Sequence, residues 1–227
     1  MRLPRRALPA VVTLVVAVLV TALAAARADA QACAGLPSFR EGPFRLTAAG
    51  TFPERATTWA ATVGAGKHES TWGAVGLRRT TFDASEEKET SGTIEVGYQL
   101  PVAHGRAQLC PIVSGGYGTN SSDGSELELR VLSASAGLAL GIPVRVASAV
   151  ELVPNAAVAW TYRRVSFEDD ADDAATEDRA GVLRLGLGLV AGGRLSVQPT
   201  YEIPFGTMVD EKSAIGVVVG LTFGSRR

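Results

Sequence analysis

The stretch from Leu183 to Ile203, LRLGLGLVAGGRLSVQPTYEI, constrains the fold more than any other part of the sequence. Apolar side chains occupy alternate positions on both sides of the Gly192–Gly193 pair, and glycine, arginine or polar residues stand between them. A period of two places successive residues on opposite faces of a strand, and a glycine pair suits a two-residue hairpin turn. The stretch therefore predicts a β-hairpin with one apolar and one polar face.

The first 30 residues have the three parts of a secretory signal peptide. Arg2, Arg5 and Arg6 form its basic start, residues 10–25 are apolar, and Ala28-Asp29-Ala30 fits a small-x-small cleavage site. We predict cleavage after Ala30, with a retained membrane anchor as the alternative. The chain that remains is long enough for one domain, and its formal net charge of −1 before cleavage argues against a nucleic-acid partner.

Alternation and turn residues together predict an all-β chain of ten strands. The strands are Phe44–Phe52, Thr57–Gly66, Trp72–Phe82, Thr90–Gln99, Ala107–Thr119, Leu127–Leu140, Ala149–Val165, Ala180–Gly192, Arg194–Pro204 and Ser213–Phe223. Most have the length of about 9–11 residues that a tilted strand needs to cross a bilayer. Omitting the first hairpin gives a variant with eight strands.

The connections alternate between two kinds, which defines two ends of the predicted sheet. Longer, mostly charged connections (the loop end) join odd to even strands: PERA, DASEEKE, NSSDGSEL, EDDADDAATEDR and FGTMVDEK. Tighter or less charged connections (the turn end) join even to odd strands: KHEST, LPVAHGR, GIPVRVAS and Gly192–Gly193. This alternation is typical of closed up-and-down transmembrane barrels.

One predicted strand breaks the alternation. Leu127, Leu129 and Val131 are odd-numbered, whereas Leu132 and the apolar residues after it are even-numbered. An extra residue in a β-bulge near Val131–Leu132 would return both sets to one face.

Charges and aromatic residues predict that the apolar face meets lipid. The three lysines, Lys67, Lys88 and Lys212, all fall in predicted connections, whereas a soluble barrel needs charges on its outer face. Aromatic residues lie near strand ends, as expected at two membrane interfaces. They are Phe52, Trp59, Phe82, Tyr117, Trp160, Tyr162, Tyr201 and Phe205 at the loop end, and Phe44, Trp72, Tyr98 and Phe223 at the turn end.

The polar face carries small residues and a few long charged side chains of both signs. A narrow lumen would require these charges to pair, because an unpaired buried charge is costly. The predicted lumen network consists of Arg45, Arg78, Glu95, Glu128, Arg130, Glu151, Arg163, Arg184, Arg194 and Glu202.

These features resemble the small outer-membrane β-barrel proteins of Gram-negative bacteria, over Phe44 to Phe223. The resemblance is most specific in the last strand, SAIGVVVGLTF, where alternating apolar residues end in an aromatic residue. It implies outer-membrane lipid, lipopolysaccharide and the barrel-assembly machinery as partners of a monomer. It also implies that the assembly signal comprises Ile215, Val217, Val219, Leu221 and Phe223.

The domains that follow are the signal peptide (1–30), an N-terminal periplasmic segment (31–43) and the outer-membrane barrel (44–227). Cys33 and Cys110 are the only cysteines and are expected in an oxidising compartment. Because Cys110 shares its face with Gln108 and Ser114, a Cys33–Cys110 disulfide would tie the N-terminal segment into the barrel floor as a partial plug. Two free thiols or a lipidated Cys33 are the alternatives.

Residues that could carry catalysis are sparse. His68 and His104 both fall in predicted periplasmic turns, away from a loop-side serine, and no nucleophile elbow or nucleotide-binding loop is present. The acidic run 168–178 lacks the glycine and ligand spacing of a calcium loop, so we interpret it as a solvated surface loop. We expect no enzyme, no cofactor and no metal site.

The sequence thus predicts an exported outer-membrane barrel with an occluded lumen and a structural or surface-interaction role. Two alternatives remain at this point. One is a narrow porin-like channel for small solutes, and the other is a soluble periplasmic binding barrel of the lipocalin type.

Overall fold

The structure is a computed structural model of the chain, and it describes residues 35–36, 39, 41–67, 69–83, 87–122, 129–167, 175–206 and 212–224. It contains the strands β1 (Phe44–Phe52), β2 (Ala56–Gly66), β3 (Thr71–Phe82), β4 (Glu87–Tyr98), β5 (Leu100–Val102), β6 (Ala107–Ser122), β7 (Leu129–Gly141), β8 (Val144–Ala147), β9 (Val150–Phe167), β10 (Thr176–Ala191), β11 (Leu195–Phe205) and β12 (Ala214–Phe223). Within these residues, no helix is long and apolar enough to span a membrane. The predicted signal peptide lies outside them.

The strands close into an antiparallel barrel. The ten long strands pair in the order β1-β2-β3-β4-β6-β7-β9-β10-β11-β12, and β12 pairs with β1. The short strands β5 and β8 continue β4 and β7 after interruptions at Gln99 and at Ile142–Pro143, so the barrel has ten strands. The ten-strand prediction is confirmed, and the eight-strand variant is excluded because β1 pairs with both β2 and β12.

The predicted bounds depart from the structure at both ends: β5 and β8 lie in predicted connections at the turn end, and two strands are longer than predicted at the loop end. Strand β10 begins at Thr176 rather than at Ala180, so residues 176–178 of the predicted acidic loop belong to a strand. Residues 168–174 of that loop lie outside the described residues. Strand β4 begins at Glu87, which makes the prediction that Lys88 lies in a connection wrong. Cross-strand pairing extends the β3–β4 hairpin and the β9–β10 hairpin beyond their apolar residues.

The hairpin of β10 and β11 has the predicted geometry. Gly192 and Gly193 adopt φ angles of 57° and 67°, and the amide of Arg194 donates to the carbonyl of Ala191 at 3.1 Å. Two consecutive positive φ angles define a type I′ turn, whose twist matches that of antiparallel strands. The turn sets a register in which Leu183 lies opposite Ile203.

The outer face of the barrel is apolar and the inner face is polar. Outward side chains such as Leu77 (67% exposed) and Ile215 (63%) contrast with inward ones such as Arg45 (4%) and Thr222 (1%). Withdrawing one large aliphatic side chain from water contributes about 1.5–3 kcal/mol. The outer surface therefore gains stability only in an apolar medium.

The β-bulge predicted near Val131–Leu132 is wrong. Val131 pairs with Gly118 and Val165, and Leu132 pairs with Tyr117 and Arg164, without a register shift on either side of β7. Val131 faces inward and is 3% exposed, whereas Leu132 faces outward and is 50% exposed. The lumen accepts an apolar residue here, so the strand keeps its regular alternation.

Aromatic rings pair on the outer face near the strand ends. Phe52 contacts Trp59 edge-on at 5.5 Å between ring centroids, and Trp160 contacts Phe205 at 4.9 Å. Phe44 stacks on Phe223 at the turn end, at 5.9 Å. Trp72 is an exception: it was predicted in the outer girdle, but it faces inward and is 3% exposed.

Candidate functional site: the barrel lumen

Small hydroxyl side chains pair between neighbouring strands on the inner face. Ser114 of β6 and Ser135 of β7 form a hydrogen bond of 2.7 Å between their hydroxyls. Thr58 of β2 and Thr80 of β3 form one of 3.0 Å. These short side chains satisfy one another, so the wall stays polar without filling the lumen.

An amide pair crosses the inner face of β10. The side-chain amide of Gln198 donates to Oδ1 of Asn155 at 3.0 Å, which joins β11 to β9. Gly186 of β10 lies opposite both Asn155 and Thr200, and a Cβ built at Gly186 would lie 2.4 Å from Nε2 of Gln198. The inward glycines of LRLGLGLV therefore provide the space in which the two amides meet.

Ion pairs between neighbouring and more distant strands lie on the inner face. The guanidinium of Arg163 on β9 donates to Oε2 of Glu89 on β4 at 2.6 Å, across the lumen. Nε of Arg184 on β10 donates to Oε1 of Glu202 on β11 at 2.7 Å. Glu95 also interacts electrostatically with Arg45 and Arg184, so charges of both signs face the interior.

The structure places most of the predicted lumen network inside the barrel, with two departures. Arg45, Arg78, Glu95, Glu151, Arg163, Arg184 and Glu202 share the inward positions of their strands. Arg130 instead faces outward, Arg194 is exposed in the turn before β11, and Glu128 lies outside the described residues. Glu151 is near the turn end, where it meets Arg145 at 3.6 Å. The role of the set as one network stays a prediction.

Glu89 was missed because β4 was predicted to begin at Thr90, three residues after its start at Glu87. The alternation itself contains the signal. Glu95, Thr93 and Ser91 are inward positions of β4, and the next position in that series is Glu89.

Residues that precede β1 lie inside the barrel. Phe39 is fully buried, with its ring 6.4 Å from that of Trp72. The guanidinium of Arg45 lies 4.8 Å from the Phe39 ring centroid and 5.0 Å from that of Trp72, at cation–π distance from both. A Cβ added at Gly35 would clash with the side chain of Gln198 on β11. A Cβ added at Gly188 on β10 would clash with the carbonyl of Gly35. The segment before β1 therefore also touches β10 and β11.

The lumen differs between its two ends. Toward the turn end, several inward residues are at most 2% exposed: Gln99, Gln108, Ile142, Val153 and Ser196. Nearer the loop end, the side chains of Arg184 and Arg163 remain 46% and 35% exposed. The interior is therefore closely packed at the turn end, and toward the loop end water reaches Arg184 and Arg163.

Cys110 is fully buried on the inner face of β6, where it packs with Ala139 and Ile112. Its predicted partner, Cys33, lies outside the described residues, as does His68. His104 is exposed in the turn after β5, with a φ angle of 58°. No group of three or more potential metal ligands occurs in the part of the chain that the structure describes.

The predicted assembly-signal residues all lie on the outward face of β12 and are exposed. They are Ile215, Val217, Val219, Leu221 and Phe223. Their pairing with β1 closes the barrel. Recognition by an assembly machinery stays a prediction.

Comparison with known proteins identifies the fold. No family model matches the chain, and no curated protein matches it. The β domain of the Bordetella autotransporter BrkA superposes with a TM-score of 0.51 at 11% identity, covering 79% of this chain and 98% of that one. Two further barrels also match. One is the translocator domain of the autotransporter NalP from Neisseria meningitidis, with a TM-score of 0.38, 16% identity, and coverage of 81% of this chain and 90% of that one. The other is the N-terminal β-barrel domain of Pseudomonas aeruginosa OprF, with a TM-score of 0.32, 12% identity, and coverage of 79% and 96%. The chain thus shares the closed antiparallel barrel fold of an autotransporter β domain.

Proposed function

We propose that the chain is an outer-membrane β-barrel with a structural or surface-interaction role, whose lumen is closed at the periplasmic end. The observation that carries this proposal is the apolar outer face. Exposed aliphatic residues occur on the outward side of every long strand, and aromatic pairs border them. A soluble binding barrel of the lipocalin type would place polar residues there, because its outer face meets water.

The orientation follows from the two ends of the barrel. Outer-membrane barrels have short periplasmic turns and longer external loops. The turn end would therefore face the periplasm, and the acidic connections would face the exterior. Because the number of strands is even, the first strand begins and the last strand ends on the periplasmic side. The N-terminal segment enters the lumen on that side.

Closure of the lumen is supported by the contacts of that segment. Phe39 fills the space between Trp72 and Arg45, and Gly35 approaches Gln198. These contacts lie at the end of the lumen where the side chains are fully buried. A water path through the barrel would have to displace them.

Recording of ion current through planar bilayers tests the closure. The mature chain is expected to show no steady conductance. Phe39→Ala should raise the frequency of open events by about tenfold, the effect of weakening the closed state by about 1.4 kcal/mol. Phe44→Ala is the control, because Phe44 faces outward and is 48% exposed. Steady conductance in the unmodified protein would contradict an occluded lumen.

A narrow channel for small solutes is the second candidate. It is favoured by the water-exposed Arg184 and Arg163 side chains in the loop-side half of the lumen. The same recordings separate the two candidates, because a channel conducts without any substitution.

The partners of the proposed function are outer-membrane lipid, lipopolysaccharide and the barrel-assembly machinery, and the expected form is a monomer without enzymatic activity. The outward, exposed residues of β12 from Ile215 to Phe223 support the assembly partner. Phe223→Ala should lower the amount of barrel recovered from the outer membrane, whereas Phe44→Ala on the neighbouring strand should lower it less.

A further inference from the structure

Five basic side chains face outward near the loop ends of five strands. These residues, named here the basic belt, are Arg79 (β3), Lys88 (β4), Arg130 (β7), Arg164 (β9) and Arg179 (β10). Each lies in the same alternating series as an exposed apolar residue of its strand: Leu77, Ile94, Leu132, Trp160 and Leu187 respectively. The belt is therefore on the lipid side of the wall.

The pairing register brings three of these arginines together. Arg130 lies opposite Ser166, which is two residues from Arg164 on β9. Arg179 lies opposite Tyr162, which is two residues from Arg164 on its other side. Diagonal neighbours of this kind are about 7–8 Å apart, so the three side chains can reach one ligand.

The belt lies immediately beyond the apolar band. Along β9 toward the loop, the outward residues run from Trp160 through Tyr162 to Arg164. The guanidinium of Arg179 lies 5.9 Å from the ring centroid of Tyr162, the cation being held against the aromatic girdle. A ligand of the belt would therefore sit at the level of lipid headgroups, with acyl chains directly below it.

The distribution of charge is one-sided. Among the described residues of β1, β2, β11 and β12, no basic side chain faces outward. The outward positions near the loop ends of these strands are instead apolar, and they include Phe52, Trp59, Phe205 and Ile215. Within the described outward positions of the belt strands, Glu177 is the acidic residue. It lies opposite Arg164 and bonds to the Tyr162 hydroxyl, so basic residues outnumber it five to one. One side of the barrel thus presents concentrated positive charge beside an apolar wall.

We propose that the basic belt binds the phosphate groups of lipopolysaccharide in the outer leaflet, an inference that rests on the proposed outer-membrane location. Arginine binds phosphate oxygens through paired N–H donors. Charge complementarity alone would also suit a soluble polyanion. The apolar wall directly below the arginines favours a ligand that has both phosphates and acyl chains.

The test measures binding of lipopolysaccharide to the barrel in detergent, first with the phosphates of its lipid moiety intact and then with them removed. The variant R130Q/R164Q/R179Q should bind the intact form about tenfold more weakly. The control R106Q/R145Q/R194Q makes the same change in net charge at the turn end and should bind as the unmodified protein does. Arg→Lys replacement at the three belt positions should give an affinity between those of the unmodified protein and the glutamine variant, because lysine keeps the charge but not the paired N–H donors.

The outcomes separate this inference from the proposed function. Equal binding by the belt variant, by the control and by the unmodified protein would overturn the belt as the site, as would equal affinity for dephosphorylated lipopolysaccharide. Full competition by inorganic phosphate at equal concentration would show a site for free phosphate instead. Every variant is first tested for a heat-modifiable barrel band. Absence of that band in the unmodified protein would contradict the barrel proposal and not the belt.

Discussion

The guanidinium of Arg163 and the carboxylate of Glu89 meet at 2.6 Å and join β9 to β4 across two intervening barrel strands. Glu89 is the more buried partner, with 11% of its side chain exposed against 35% for Arg163. Removing the arginine would leave a carboxylate in a confined site without its closest cation.

Arg163→Met should lower the free energy of unfolding by about 1–3 kcal/mol, because a largely buried acceptor loses a charged partner. Partial exposure of the pair keeps the loss below the value for fully buried pairs. Urea unfolding in lipid vesicles measures this loss of unfolding free energy. The matched change at the more exposed Arg184–Glu202 pair, Arg184→Met, should cost about 0–1 kcal/mol. Equal stability of Arg163→Met and the unmodified barrel would contradict the cross-lumen bond.

Gly186→Ala should disrupt the amide pair beneath it. The new methyl group would lie 2.4 Å from Nε2 of Gln198 and 2.8 Å from Oδ1 of Asn155. Such overpacking costs about 1–3 kcal/mol. Gly115→Ala serves as control, since the atom nearest to its added Cβ, the carbonyl oxygen of Ser133, is 3.7 Å away, an ordinary contact distance. Equal unfolding midpoints for the two variants would show that Gly186 is not needed for the pair.

The disulfide prediction has a chemical test. Cys110 is fully buried and does not occur as a free thiol, which supports a bond to Cys33. Alkylation of the unfolded, unreduced protein should label neither cysteine, and labelling should require a reductant. Cys33→Ser should expose one reactive thiol on unfolding. Labelling of both cysteines without reduction would contradict the bond.

An ion pair between Glu54, in the connection from β1 to β2, and Lys212, in the connection from β11 to β12, makes the Glu54 carboxyl group sensitive to the loss of that lysine. A hydrogen bond and the charge of Lys212 lower the pKa of the exposed Glu54 carboxyl below its usual value. A depressed pKa gives stability that is present above the unfolded-state pKa and is lost as pH falls through the folded-state pKa. Lys212→Met should return the pKa of Glu54 toward its ordinary value in an NMR titration. An unchanged titration would contradict the contact.

The number, order and polarity of the strands could be predicted because each depends on local alternation. The bounds of β1 were predicted to the residue, and the predicted ends of the two strands beside the Gly192 turn were close to the observed ones. The loop ends of β4 and β10 were not, because pairing with a neighbouring strand extends them through Lys88 and Asp178. Sequence alternation gives the facing of a residue in such an extension, as it does for Glu89, but it does not show how far the pairing continues.

The inward position of Trp72 could not be predicted for a different reason. Its ring is buried by Phe39, which arrives from a segment outside the barrel strands, and by Arg45 of another strand. Val131 is similar, since its burial depends on which residues surround it inside the lumen. Contacts between distant parts of the chain decide these positions.

The most direct test of the central claim is outer-membrane fractionation followed by electrophoresis in SDS with and without boiling. The apolar outer face predicts a detergent-requiring protein in the outer-membrane fraction, whose band changes mobility on heating as the closed barrel unfolds. A soluble periplasmic protein with no change in mobility would contradict the account, because the outward leucine, valine and tryptophan side chains would then have to face water.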